Sequence, residues 1–98
     1  MSARYLLSPA AQQDIDRIWD YTAEHWSIEQ ANRYTEKMRR DLQQLATGQL
    51  RSREASVRLG YRFLLVGSHI VFIRDHPKAI FEVVRILHQS MDVDRHLK

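Results

Sequence analysis

At 98 residues the chain has room for one domain, in which roughly 60–70% of the unfolded surface can be buried, enough for one core but not for a deep substrate cavity. Hydrophobic residues make up 44% and cysteine is absent, which excludes disulfides and thiolate metal sites and fits a reducing cytoplasm. The net charge of +3 is uneven: residues 1–26 hold four acids (Asp14, Asp16, Asp20, Glu24) against Arg4 and Arg17, whereas residues 33–62 hold eight bases against three acids. One side should therefore attract an acidic protein segment or nucleic acid, although a solvated basic face has the same composition.

The N-terminus shows neither a basic n-region nor an apolar h-region, and the longest mainly apolar stretch, residues 63–73, is too short to span a bilayer. A cytoplasmic protein with no membrane association is expected. Residues 3–7 read as a short strand, after which Ser8-Pro9 supplies an N-cap and a first-turn proline. Ala11, Ile15, Ile18, Trp19, Thr22, Ala23 and Trp26 recur at helical spacing, while Asp14, Asp16, Arg17, Asp20 and Glu24 fall mostly elsewhere on the wheel. Trp19, Trp26 and Tyr34 are read as core aromatics, and Tyr21, off the stripe, as a partner surface.

Ser27 to Gln30 has the form of a capping box and opens a second helix. Its stripe is Ala31, Tyr34, Thr35, Met38, Leu42, Leu45 and Ala46, and Gly48 stands where a left-handed C-cap belongs. So short a connection makes an antiparallel helical hairpin. A basic loop over residues 49–56 leads into three strands at 61–66, 69–74 and 79–88. Gly67-Ser68 is a type II′ hairpin signal and residues 75–78 form a second turn around Pro77. The last ten residues read as an irregular or helical extension. The order β-α-α-β-β-β implies an α+β fold, a helical hairpin packed on a mostly antiparallel four-stranded sheet.

The chain resembles the ParE branch of the RelE/ParE toxin superfamily. The matching stretches are Leu7-Ser8-Pro9-Ala10-Ala11, Asp16-Arg17-Ile18-Trp19-Asp20-Tyr21, Trp26, and Gln30-Ala31-Asn32-Arg33-Tyr34. Further on they are Leu59-Gly60-Tyr61-Arg62, Val66-Gly67-Ser68-His69-Ile70-Val71-Phe72, Val84-Arg85-Ile86-Leu87-His88 and Asp92. They run in order over nearly the whole length. The resemblance implies a ParD-type antitoxin in a hetero-oligomer, and DNA gyrase as target. By this analogy Tyr21, Arg33, Lys37, Arg40, Arg51, Arg53 and Arg58 would meet the antitoxin. Arg62, Arg85 and His88, at positions that act in nuclease relatives, would face the target with Met91, Asp92, Arg95 and His96, since the C-terminal tail is implicated in toxicity in this family.

RelE-type relatives cleave mRNA on the ribosome, which needs a general base, an acid and cations on the phosphorane. The three lysines here, Lys37, Lys78 and Lys98, lie outside every run read as a strand, so the usual proton-transfer set is missing and no catalytic residue is favoured. The alternative, a ribosome-dependent endonuclease, would use Arg62, Arg85 and His88, with Glu54 as a base if its loop folds over the sheet. His25, His69, His76 and His96 are scattered without metal-ligand spacing, and the glycines are isolated. No metal or cofactor is expected, nor sequence-specific nucleic-acid binding.

Overall fold

The computed structural model describes residues 4–91 and 93–97. In chain order the elements are β1 (Leu6–Leu7), α1 (Pro9–His25), α2 (Ile28–Ala46), β2 (Arg53–Glu54), β3 (Tyr61–Val66), β4 (His69–His76), β5 (Ala79–His88) and α3 (Val93–His96). The sheet runs β1-β5-β4-β3-β2, with β1 parallel to β5 and the other neighbours antiparallel. The expected four strands become five because Arg53–Glu54 pairs with Phe63 and Arg62. Both side chains of that strand are exposed, so no apolar alternation marks it. The strand read over residues 3–7 shortens to Leu6–Leu7, Ala3 lying outside the described residues.

The local signals act as their chemistry requires. Ser8 Oγ accepts from Ala11 N at 3.0 Å and Ser27 Oγ from Gln30 N at 3.0 Å, so each helix has an orphan amide satisfied by its cap. Gly48 takes φ +85° after α2. In the β3–β4 hairpin Gly67 takes φ +56° while Ser68 does not enter the left-handed region, as a type II′ turn requires. The turn before β5 is tighter than expected: β4 continues to His76, which pairs with Ala79 around Pro77-Lys78.

The helical hairpin covers one face of the sheet. Ala11, Ile15 and Ile18 of α1 and Met38 and Leu42 of α2 meet Val66, Val71, Ile73, Phe81, Val83 and Ile86. A step of two separates Phe81 from Val83 but a step of three separates Val83 from Ile86. The register explains it: Ile73 pairs with Val83 and Phe72 with Arg85, leaving Val84 as an extra residue in a β-bulge. On the opposite face Ala55, Tyr61, Phe72, Leu87 and Leu97 form a second core. The loop before β3 and the C-terminal segment thus cover the side the helices leave open. Trp26, expected in the core, is instead 69% exposed, because α1 ends at His25 and Trp26 leaves the helical path as its C-cap.

Candidate interaction groove

A groove of about 780 Å³ opens between the C-terminal half of α1 and the edge of β5. Its α1 wall is Arg17, Ile18, Tyr21 and Thr22, with Trp26 and Gln30 at the hairpin corner. The facing wall is Tyr34, His69, Ile86 and His88, continued by Ser90, Met91 and His96 after β5. It opens because β1 pairs only with residues 82 and 83 and leaves the rest of that edge of β5 without a strand.

Asp14 closes that edge. Its carboxylate accepts from Ile86 N at 2.9 Å and takes Arg85 in two parallel bonds, Nε to Oδ2 at 2.8 Å and Nη2 to Oδ1 at 3.0 Å. The third nitrogen, Nη1, donates to the carbonyl of His96 at 3.1 Å. All three nitrogens of the guanidinium are thus engaged within the chain. The Asp14 carboxylate holds the Arg85 pKa above its ordinary value, so the guanidinium stays charged. The bulge beside Val84 aims Arg85 off the strand toward both partners. Asp14 was placed among the polar residues of α1, yet its spacing of three from Ala11 and four from Ile18 puts it on the buried stripe.

At the inner end of the groove Tyr34 ties α2 to the hairpin. Its hydroxyl donates to Val66 O at 3.1 Å and accepts from Ser68 N at 3.1 Å. His69 Nδ1 lies 2.6 Å from the same hydroxyl, a hydrogen bond that joins α2 directly to the start of β4. Burial, reinforced by His88 beside it, lowers the His69 pKa from 6.5 to about 4. The two rings meet edge to face at 5.3 Å. His88 Nδ1 accepts from Ser90 N at 3.1 Å. Nothing in the local sequence marks the Tyr34–His69 contact, which joins residues 35 positions apart.

The other residues singled out in the sequence are dispersed. Arg62 donates to Ser52 Oγ at 3.0 Å and pairs with Asp75 at 3.1 Å. Arg58 donates to Leu97 O at 2.7 Å and lies over the Tyr61 ring. Lys37 bonds Asp41 at 2.9 Å and Arg33 approaches Glu29 at 4.0 Å, so part of the basic face of α2 is neutralised within the helix. Arg40, Arg51 and Arg53 are exposed. Glu54 on β2 and His88 on β5 stand three strands apart, about 14 Å across the sheet. Of the residues tied to the antitoxin or target, the groove gathers Tyr21, Arg85, His88, Met91 and His96. Arg95 is exposed on α3, and Asp92 lies outside the described residues. Among the described residues no three histidine, aspartate or glutamate side chains are placed to hold a metal ion, and no helix is long and apolar enough to cross a membrane.

The fold and the chain can be set beside known proteins. The solved structure "Chromosomal ParDE TA system from P. aeruginosa" is similar in fold, with a TM-score of 0.76 over 89% of this chain and 96% of that one at 19% identity. A protein named Toxin ParE1 from Mycobacterium tuberculosis strain H37Rv is 44% identical over 99% of this chain and 100% of its own length. A second Toxin ParE1, from Caulobacter vibrioides, is 36% identical over 95% and 96% respectively. Residues 5–93 match the family described as the ParE toxin of the type II toxin–antitoxin system, parDE. A match spanning both helices, β1 through β5 and the groove between them assigns this chain to the ParE toxin family of type II toxin–antitoxin systems.

Proposed function

We propose that this ParE-family toxin works by binding, without proton-transfer chemistry of its own, that its target is DNA gyrase in the cytoplasm, and that a ParD-type antitoxin silences it. The observation that carries the reading is the state of Arg85. A guanidinium that is to hold a phosphorane needs N–H donors aimed at it, and three of the five on Arg85, one on each nitrogen, are spent on Asp14 and the His96 carbonyl. Arg62 is partly engaged, through Nε to Ser52 and Nη1 to Asp75. A general acid–base pair needs its members within hydrogen-bond reach of one reacting centre. Glu54 and His88, at opposite sides of the sheet, do not meet that condition.

Expression of the parent chain and of His88→Ala in a bacterium, with transcripts and the DNA-damage response followed together, tests the reading. DNA damage with intact transcripts is expected from the parent, and any toxicity that His88→Ala loses should be lost as DNA damage, with transcripts intact throughout. Ribosome-associated cleavage of transcripts that His88→Ala abolishes in a folded protein would establish the endonuclease instead.

A further inference from the structure

The connection from β2 to β3 inverts the usual pattern of a surface loop. Val57 and Leu59 stand in solvent, 44% and 100% exposed, while Arg58 between them folds back onto the chain. Its Nη1 donates to the Leu97 carbonyl at 2.7 Å, and its guanidinium lies 5.2 Å over the Tyr61 ring. A loop built only for solubility would turn the cation outward and the apolar side chains in.

The loop is also fixed. Ala55 and Tyr61, both buried in the second core, anchor its ends, and Ala55 N donates to Tyr61 O at 2.9 Å. Tyr61 N donates to Arg58 O at 3.2 Å, closing a β-turn whose third residue, Gly60, takes φ +85° as a type II turn requires. Leu59 is the second residue of that turn, at its tip. Arg58 has a further task at the other end of its bond. The last carbonyls of a helix have no partner within it, and α3 is only four residues long. Arg58 and Arg85 satisfy the carbonyls of Leu97 and His96 from two different elements. Loop and C-terminal segment are thereby joined into one preorganised unit, with little freedom left for a partner to remove.

The chemistry of this unit selects its partner. Arg51 and Arg53 before the loop and Arg95 on α3 are exposed, and among the described residues they form no ion pair. Glu54 is the one carboxylate of residues 49–60. Aliphatic tips offer neither rings for base stacking nor donors for bases or phosphate, so a nucleic acid gains nothing from them. They fit an apolar pocket of a protein, and the cationic flanks favour a pocket with acids at its edge. The contact is separate from the groove. The loop precedes β3, whereas Ser68, which lines the groove, follows it, about 20 Å away along the strand.

We propose that Val57 and Leu59 enter an acid-rimmed apolar pocket on the target of this toxin, and that Arg58 is a positioning residue that sets them there together with the C-terminal segment. The inference rests on the gyrase reading above and adds a point of contact to it.

The test measures binding of the purified full chain to gyrase, with circular dichroism and the urea midpoint as checks on folding. Leu59→Ser weakens binding by about tenfold or more and Val57→Ser by less, with folding unchanged. Ile28→Ser, which removes another exposed aliphatic at the hairpin corner, leaves binding unchanged. Leu97 is buried, so Leu97→Ala acts only through the seating of the segment. That variant and Arg58→Leu both weaken binding while amide exchange over residues 93–97 speeds up, and Arg58→Lys restores part of each. If the parent binds gyrase and Leu59→Ser and Val57→Ser bind equally well, the contact falls while the gyrase reading stands. Weakened binding in Arg58→Leu with unchanged exchange over residues 93–97 overturns the positioning role. Plasmid DNA retained by the chain without gyrase, and released by Leu59→Ser, makes nucleic acid the partner and overturns the assignment. A folded parent chain that does not bind gyrase removes both the reading and the contact.

Discussion

Asp14 holds α1, the free edge of β5 and, through Arg85, the C-terminal segment in one network. Asp14→Ala leaves Arg85 without its counter-charge and the buried Ile86 amide without an acceptor. Urea denaturation is expected to show a loss of about 2–4 kcal/mol, below a deeply buried pair because Arg85 keeps some solvent. Arg85→Lys keeps the charge but not the planar fork, and a loss of about 1–2 kcal/mol is expected. His69 gives stability a pH dependence. Its folded pKa, about 4, lies below the ordinary 6.5, so between these values the unfolded chain binds more protons and stability rises with pH. The urea midpoint should therefore fall as pH drops from 6.5 toward 4, and His69→Asn should flatten that fall. Tyr34, His88 and Asp14 are the titratable groups facing this ring, and they are unchanged in that variant. Gly67→Ala is strained twice, by φ +56° and by a Cβ only 2.6 Å from Tyr34 Oη. A loss of about 1–3 kcal/mol in the same assay is expected.

Elements were legible in the sequence where a local rule decides them. Ser8, Ser27, Gly48 and Gly67 mark ends and turns through their own backbone or side-chain chemistry, and β3 and β5 begin and end as their apolar runs indicate. What escaped was set by partners distant in the chain. β2 pairs along an edge that β3 offers, and the bulge in β5 goes with bonds from Arg85 to Asp14 and His96. The same division holds for the groove: the helical wheel puts Tyr21 off the stripe, but it also puts Trp26 in the core because it ignores the turn that follows. The C-terminal segment was read as an appendage, yet Leu97 is 5% exposed in the second core, and Arg58 and Arg85 bond the carbonyls of residues 97 and 96. Leu97→Ala is expected to cost about 2 kcal/mol and to raise amide exchange over residues 93–97 before the rest of the chain opens.

For the molecule as a whole, two cores lie on opposite faces of one sheet, and at the edge of β5 α1, the β3–β4 hairpin and the C-terminal segment converge. The groove there lies beside Arg85, which is held by three bonds within the chain, and is walled by exposed apolar side chains. That combination suits recognition of a macromolecule better than attack on a phosphate. Incubation of the purified chain with gyrase, ATP and plasmid separates the two. Binding to gyrase should leave supercoiling inhibited and cleaved plasmid trapped on the enzyme, with both effects removed by the antitoxin. Unaltered supercoiling and no trapped cleavage complex, from a folded chain that cuts mRNA on ribosomes, would contradict it.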